Sequence, residues 1–440
     1  MALAALVLLG ALAWVDARRE RAAGRPSPPA WIRWRDPVLW IGLLFLLHLS
    51  IQYVNAGRVL YFDTSERVWT YSDPRWPAWP SSITSTESRQ MLDWFVPAWV
   101  ILLVLRSPRL GTRAVRALWR VLVWNAALLS AFGLVQFLSS TTSMYWTVPM
   151  RPHFFASFGY PNHAGSYFLM AICLSSGLLL YELAAAGAPL RRGRVALLTA
   201  ALFLSLLGAN FALSRASILL SWGLLLLIAF HALRMLWPRL EPVRRLHTAA
   251  AGVAIISLAA LLTVGLGREA IRMEFKPEDD NKTLVDREAS FRWFQIQTAA
   301  HIWLDHPLYG VGGWGYRYLM AHYLPPEQWK RVTEGKANVH NDPMQFLAEF
   351  GLIGAGAMSA VVFWLAVPAW RQGRRMLLVR IPLIGVALIA AQSLIDLPFR
   401  SPAVLYLWLI LLAGAARLAA PRASANQLNV PRGGGIVPTQ

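Results

Sequence analysis

Runs of about 20 mostly apolar residues, the length a helix needs to cross a bilayer core, recur along the whole chain. They lie near Ala2 to Val15, Pro37 to Val54, Asp93 to Leu105, Val121 to Leu138, Asn162 to Tyr181, Val195 to Leu213, Ala216 to Leu233, Thr248 to Leu266, Met344 to Ala369, Met376 to Leu394 and Ala403 to Leu418. Only helices and closed barrels satisfy every backbone polar group inside lipid, and these runs have helical length. The fold class they imply is all-α: a polytopic transmembrane helical bundle of about eleven spans. With 56% hydrophobic and 15% charged residues and a mean hydropathy of +0.43, the chain is too apolar for a soluble domain of ordinary usage.

The formal net charge of +19 raises nucleic acid as a partner. The arginines, however, sit in short clusters between apolar runs, where topology explains them, so no nucleic-acid partner is expected. The clusters are Arg18 to Arg25, Arg106 to Arg116, Arg191 to Arg194, Arg239 to Arg245 and Arg371 to Arg375. By the positive-inside rule they face the cytoplasm. The alternate connections, Asn55 to Gln90, Ser139 to Pro161, the turn at Arg215, Gly267 to Pro343 and Asp396 to Pro402, are mixed in sign and face outward. The two sets alternate without a violation. Counting back makes Ala2 to Val15 a span with its N-terminus outside; a cleaved signal peptide is the alternative, with small residues around Ala11 to Ala13 but no basic n-region.

Three stretches follow: 1–150 as N-terminal spans, 151–416 as a membrane domain holding the large outward loop 267–343, and 417–440 as a disordered cytoplasmic tail poor in apolar surface. The single cysteine, Cys173, lies in an apolar run and excludes an intramolecular disulfide. It reads as a small buried hydrophobe.

Candidate chemistry concentrates outside the spans. The outward loop is far longer than an ordinary connection. Within it, Trp293, Ile296, Ala300 and Trp303 recur at helical steps, giving an amphipathic helix from Ser290 to Asp305 that Pro307 ends and that lies along the membrane surface. Gly310, Gly312, Gly313 and Gly315 lack the strand and βαβ unit of a nucleotide loop, and read as a tight turn that brings backbone close to another element. Asp342, Gln345 and Glu349 share one helix face, with His340 where that helix begins. Two readings stand for Arg215, which divides two apolar stretches: a functional cation, or a charge snorkelling to the interface. Arg292 is a functional cation or a solvated residue on the amphipathic helix, and His340 a base or a satisfied interface histidine. The acidic run Glu278-Asp279-Asp280 is a solvated loop segment in preference to a divalent-cation site.

These segments together resemble the O-antigen ligase and O-antigen polymerase superfamily of bacterial envelope membrane proteins. The resemblance rests on Ser157-Phe158-Gly159-Tyr160-Pro161-Asn162-His163-Ala164, on Leu213-Ser214-Arg215-Ala216-Ser217, and on Arg292 followed by Asp305-His306-Pro307-Leu308-Tyr309-Gly310-Val311-Gly312. It continues in His340-Asn341-Asp342-Pro343 with Gln345, Glu349 and Gly351-Leu352-Ile353-Gly354, and in Asp396-Leu397-Pro398-Phe399-Arg400-Ser401-Pro402-Ala403. These motifs cover roughly residues 150 to 405 in order; the superfamily usually has about twelve spans and a cytoplasmic N-terminus, from which the eleven here depart.

The resemblance implies a bacterial inner-membrane glycosyltransferase. It would move a glycan from an undecaprenyl-diphosphate carrier to a hydroxyl of a glycan, of lipid A-core or of another acceptor on the periplasmic face, without a metal or cofactor and among membrane lipids. Arg215 and Arg292 are the candidate grips for the departing diphosphate, since guanidinium forks bind such oxygens at two points. His340 is the candidate general base. Asn162, Asn341, Glu349 and Arg400 are candidate substrate contacts, with packing an equal account of Glu349. A transporter or flippase of lipid-linked sugars is the alternative from another class.

Overall fold

A computed structural model gives the fold and describes residues 34–65, 68–150, 154–184, 190–239, 242–275, 284–324 and 338–420, with three isolated positions nearer the N-terminus. The described chain is nearly all-α. Its main helices are α1 (Pro37–Val54), α2 (Ser85–Arg106), α3 (Thr112–Leu138), α4 (Pro161–Ala184), α5 (Leu190–Phe211), α6 (Arg215–Leu236), α7 (Pro242–Phe275), α8 (Leu284–Asp305), α9 (Asp342–Gly373), α10 (Leu377–Gln392) and α11 (Pro402–Ala419). Two small antiparallel hairpins interrupt them: β1 (Leu60–Asp63) with β2 (Val68–Tyr71), and β3 (Ser143–Met144) with β4 (Val148–Pro149).

Among the described residues, eight helices are long and apolar enough to cross a membrane, namely α1 to α6, α9 and α11. The expected spans in α10 and in the Gly252–Arg268 stretch of α7 form apolar helices shorter than these. Ala2 to Val15 lies outside the described residues, Trp14 apart. The bundle is organised around α4 and α11, which are buried on most sides, with the other spans arranged about them. Outward faces carry bare apolar side chains: Leu128 is 69%, Leu219 67%, Leu261 70% and Phe363 69% exposed. In water each such side chain would forgo about 1.5–3 kcal/mol of burial, which lipid contact removes as a cost. One core cluster includes residues from Val38 to Ala419.

Sequence signals set the helix ends. Asp36 caps α1 by accepting from Val38 N at 3.1 Å, with Pro37 in the first turn. Ser214 caps α6, and Leu213 at φ 55° makes the turn that joins α5 to α6 with almost no loop. Asn341 caps α9, accepting from Met344 N at 2.8 Å, with Pro343 following. Arg417, expected to begin a tail, is still helical in α11 and donates to the Leu110 carbonyl at 2.6 Å. Residues 421–440 lie outside the described part.

The connections read as one set meet at one end. Gln52 donates to the Tyr309 carbonyl at 3.1 Å, Trp314 to Gln90 at 2.9 Å, Tyr318 to Glu87 at 3.1 Å, and Arg292 to the Ile395 carbonyl at 2.8 Å. The Arg-rich connections meet at the other end, where Arg106 pairs with Asp36 and Arg120 with Glu182.

Helix α8 forms as expected and starts earlier, and its two sides meet different surroundings. Gln295, Thr298, Ala299 and Ile302 are buried, whereas Trp293 is 61% exposed. The buried side packs into a second cluster with Val311, Tyr316, Leu319 and Ala348, against which Ile296 and Trp303 also lean, while Trp293 faces outward. Such rings seat at membrane interfaces.

Candidate functional site

The site is organised by the turn that follows α10. Backbone carbonyls of residues 393–397, beyond the last helical residue Gln392, are used by residues from elsewhere in the chain. Ser393 O accepts from Asp342 N at 2.9 Å, Leu394 O from the Asn341 amide at 2.8 Å, and Ile395 O from Arg292 Nη1 at 2.8 Å. Leu397 O pairs with His163 Nε2 at 2.9 Å. A carbonyl only accepts, so that ring nitrogen carries the proton.

Asp396, in the middle of this turn, is 5% exposed. Its Oδ1 lies 3.4 Å from the Tyr160 hydroxyl and 3.7 Å from His340 Nδ1. Asn162 donates to the same hydroxyl at 3.0 Å. Burial, reinforced by the Asp396 charge, holds the Tyr160 phenol above its ordinary range, so it stays a donor to the carboxylate. His340 stands at φ 52°, a left-handed conformation that non-glycine residues adopt only when the surroundings hold them. An imidazole whose Nδ1 faces a carboxylate presents Nε2 as its reactive nitrogen.

A buried charged layer lies beneath. Glu349 is fully buried; it accepts from Gln345 at 2.8 Å and from Arg400 Nη2 at 2.7 Å. Arg400 also stands 3.8 Å from Asp342, whose other oxygen accepts from Phe399 N at 2.8 Å. The Arg400 guanidinium rests over Trp314 and Phe346, at 4.5 and 5.0 Å from the ring centroids. The expectation that Glu349 and Arg400 touch sugars therefore meets a physical obstacle: each spends its charge on the other, out of solvent reach. They bear on the site through the segments they tie together, the start of α9 and the 393–400 turn.

Helix α9 is broken at Gly351, where φ is 61° and ψ −171°. The segment after α8 fills the break as an extended partner. Leu352 N donates to Pro307 O at 2.8 Å, Ile353 N to Leu308 O at 3.1 Å, Val311 N to Ala348 O at 3.0 Å and Gly312 N to Glu349 O at 2.8 Å. Gln52 adds a donor to Glu349 O at 3.3 Å. Non-helical backbone in a span is tolerated when protein satisfies it, as here. The expected close approach of the glycine turn is thus observed: a Cβ on Gly310 would stand 2.6 Å from Gly351 N.

Arg292 and His340 therefore share one anchor, the Ile395–Asp396 pair, joined by Asn162 through Tyr160 and by Asn341 through Leu394. Arg215 is the first residue of α6, at the same end of the bundle and partly buried. Its neighbours Ser214 and Ser217 close in on Gly165, one turn along α4 from Asn162. Tyr160, His163 and Asp396 were not singled out as site residues, although all three lie inside the quoted motifs. The N-termini of α4, α6, α9 and α11 gather at this end, each adding partial positive charge. Among the described residues no three of His, Cys, Asp and Glu come together in a metal-binding group, and the run 278–280 lies outside them.

Residues 200–359 match a protein family described as O-antigen ligase. The matched part runs from α5 into α9 and carries Arg215, Arg292, His340, Asn341 and Glu349, while Asn162, Asp396 and Arg400 fall outside it. This supports the resemblance to the O-antigen ligase and polymerase superfamily drawn from the motifs. No curated protein matches the chain.

Proposed function

We propose that the protein is a membrane glycosyltransferase of the O-antigen ligase or polymerase type, moving a glycan from an undecaprenyl-diphosphate carrier to an acceptor hydroxyl on the periplasmic face of the bacterial inner membrane. One observation carries this reading most: Arg292 and His340, distant in sequence, are held side by side by Ile395 and Asp396.

The chemistry follows from the groups present. His340 Nε2 takes the acceptor hydroxyl proton as that oxygen bonds to the anomeric carbon. The bond from this carbon to the diphosphate oxygen breaks with its electron pair, and the lipid diphosphate departs. Asp396 steadies the imidazolium formed, as a carboxylate beside a catalytic imidazole does. Arg292 and Arg215 stabilise the growing negative charge on the leaving group, assisted by the positive helix ends around them. No step requires a metal. Asn162 and Asn341, partly exposed beside these groups, orient the sugars, while Glu349 and Arg400 hold the floor.

The test is deletion of the gene, with gel analysis of lipid-linked and surface glycans. Complete loss of mature glycan from lipopolysaccharide identifies a ligase, and single-repeat chains identify a polymerase. Unchanged glycans, or labelling of Arg215, Arg292 and His340 from both membrane sides in alternation, would favour transport instead.

A further inference from the structure

A cleft remote from this site has the features of a second binding site. Helices α6 and α10 both pack on α4 but hardly on each other, leaving a cavity of about 120 Å³ floored by Cys173. Its walls are apolar: Leu227 and Ile228 on α6, Ile381 and Ile384 on α10. Cations close one end, where Arg380 donates to His231 Nε2. An imidazole nitrogen that accepts a hydrogen bond is uncharged, so this partner leaves the guanidinium charge uncancelled. Arg234 is exposed on the next turn, and Arg374 and Arg375 are exposed just before α10. Among the described residues, no carboxylate forms an ion pair with Arg380 or Arg234.

The basic mouth lies far from Arg215. His231 is on the same helix, about 24 Å away at 1.5 Å per residue. It therefore belongs to the opposite, Arg-rich end of the bundle. An uncancelled cation cluster at the rim of an apolar cleft between spans is complementary to a phosphate headgroup with its acyl chain alongside.

We propose that this cleft holds an anionic phospholipid of the leaflet at the Arg-rich end, its phosphate on Arg380 and Arg234 and one acyl chain against Leu227, Ile228 and Ile384. The lipid fills the gap between α6 and α10 and so steadies the helix that carries Arg215 at its far end. It is distinct from a lipid-diphosphate donor, whose charged group is required at the other end.

Native mass spectrometry of the full-length detergent-solubilised protein, titrated with dioleoyl phosphatidylglycerol or dioleoyl phosphatidylcholine, tests this. The wild type should retain phosphatidylglycerol selectively. Arg380→Gln should weaken that binding by about tenfold, the loss of one charge-assisted contact, and Arg380→Lys should restore most of it. Leu227→Trp, at a lining residue 52% exposed, plugs the cleft without touching the charges and should also abolish the preference. Equal retention of the two lipids by wild type, or full phosphatidylglycerol binding by Arg380→Gln or Leu227→Trp, overturns the proposal. So does displacement of the bound lipid by a polyprenyl phosphate that binds Arg380→Gln as well as wild type.

Discussion

Gly351→Ala tests how the break in α9 is held. A Cβ at this position would fall on the Leu308 carbonyl and 2.5 Å from Tyr309 N, both backbone groups that cannot swing aside. The backbone at φ 61° and ψ −171° is also closed to alanine, at a cost of about 1–3 kcal/mol. Relief requires moving the 307–312 segment and with it the four hydrogen bonds it exchanges with residues 348–353. At about 0.5–1.5 kcal/mol for each bond, added to the strain, the substitution should destabilise the protein by about 3–9 kcal/mol. Thermal unfolding in detergent, followed by loss of the monodisperse peak, should shift downward by more than about 5 °C. Gly356→Ala is the control on the same helix, because a methyl group there would meet nothing within 4 Å. It should leave stability unchanged or raise it by up to about 1 kcal/mol. Equal melting of Gly351→Ala and Gly356→Ala would refute the role given to the break.

Arg400→Leu removes one partner of a fully buried ion pair and should cost about 3–5 kcal/mol, read as reduced accumulation and lower melting, with Glu349→Gln milder because the amide still pairs with Gln345. Arg292→Ala and Arg215→Ala should accumulate normally yet lower glycan transfer by about 10²–10³-fold, measured against matched membrane amounts of protein. His306 is held below the ordinary imidazole value of 6.5 by burial and by the Arg58 charge. Its folded form then binds fewer protons than the unfolded chain as pH falls through that range, so stability should drop on acidification. A melting-against-pH series should show that slope flatten in His306→Gln.

The spans were legible because lipid imposes length and apolarity together, and the alternation of Arg-rich connections matches the two ends at which connections meet. The start of α9 was legible for a local reason: Asn341 before Asp342-Pro343 is a capping residue before a first-turn proline. The break at Gly351 was not, since Glu349 to Gly354 lies in a run whose apolar spacing is helical throughout. Backbone acceptors explain the rest. The carbonyls of Ser393, Leu394, Ile395 and Leu397 gather the site, and a carbonyl has no sequence identity to read. Asp396 stood within a recognised motif, but its partnership with His340 and Tyr160 depends on packing between three helices. For α8, the apolar pattern gave the helix but not its packing: Ile296 and Trp303 lean on the second cluster while Trp293 points outward, a division set by tertiary neighbours.

The account rests most directly on His340 acting as the base of glycan transfer. The decisive measurement is transfer by purified His340→Ala protein supplied with a lipid-diphosphate-linked glycan and its acceptor, against wild type at equal concentration. Loss of about 10²–10⁴ in rate with unchanged melting and unchanged donor binding is the predicted result. Transfer within a few-fold of wild type would contradict it.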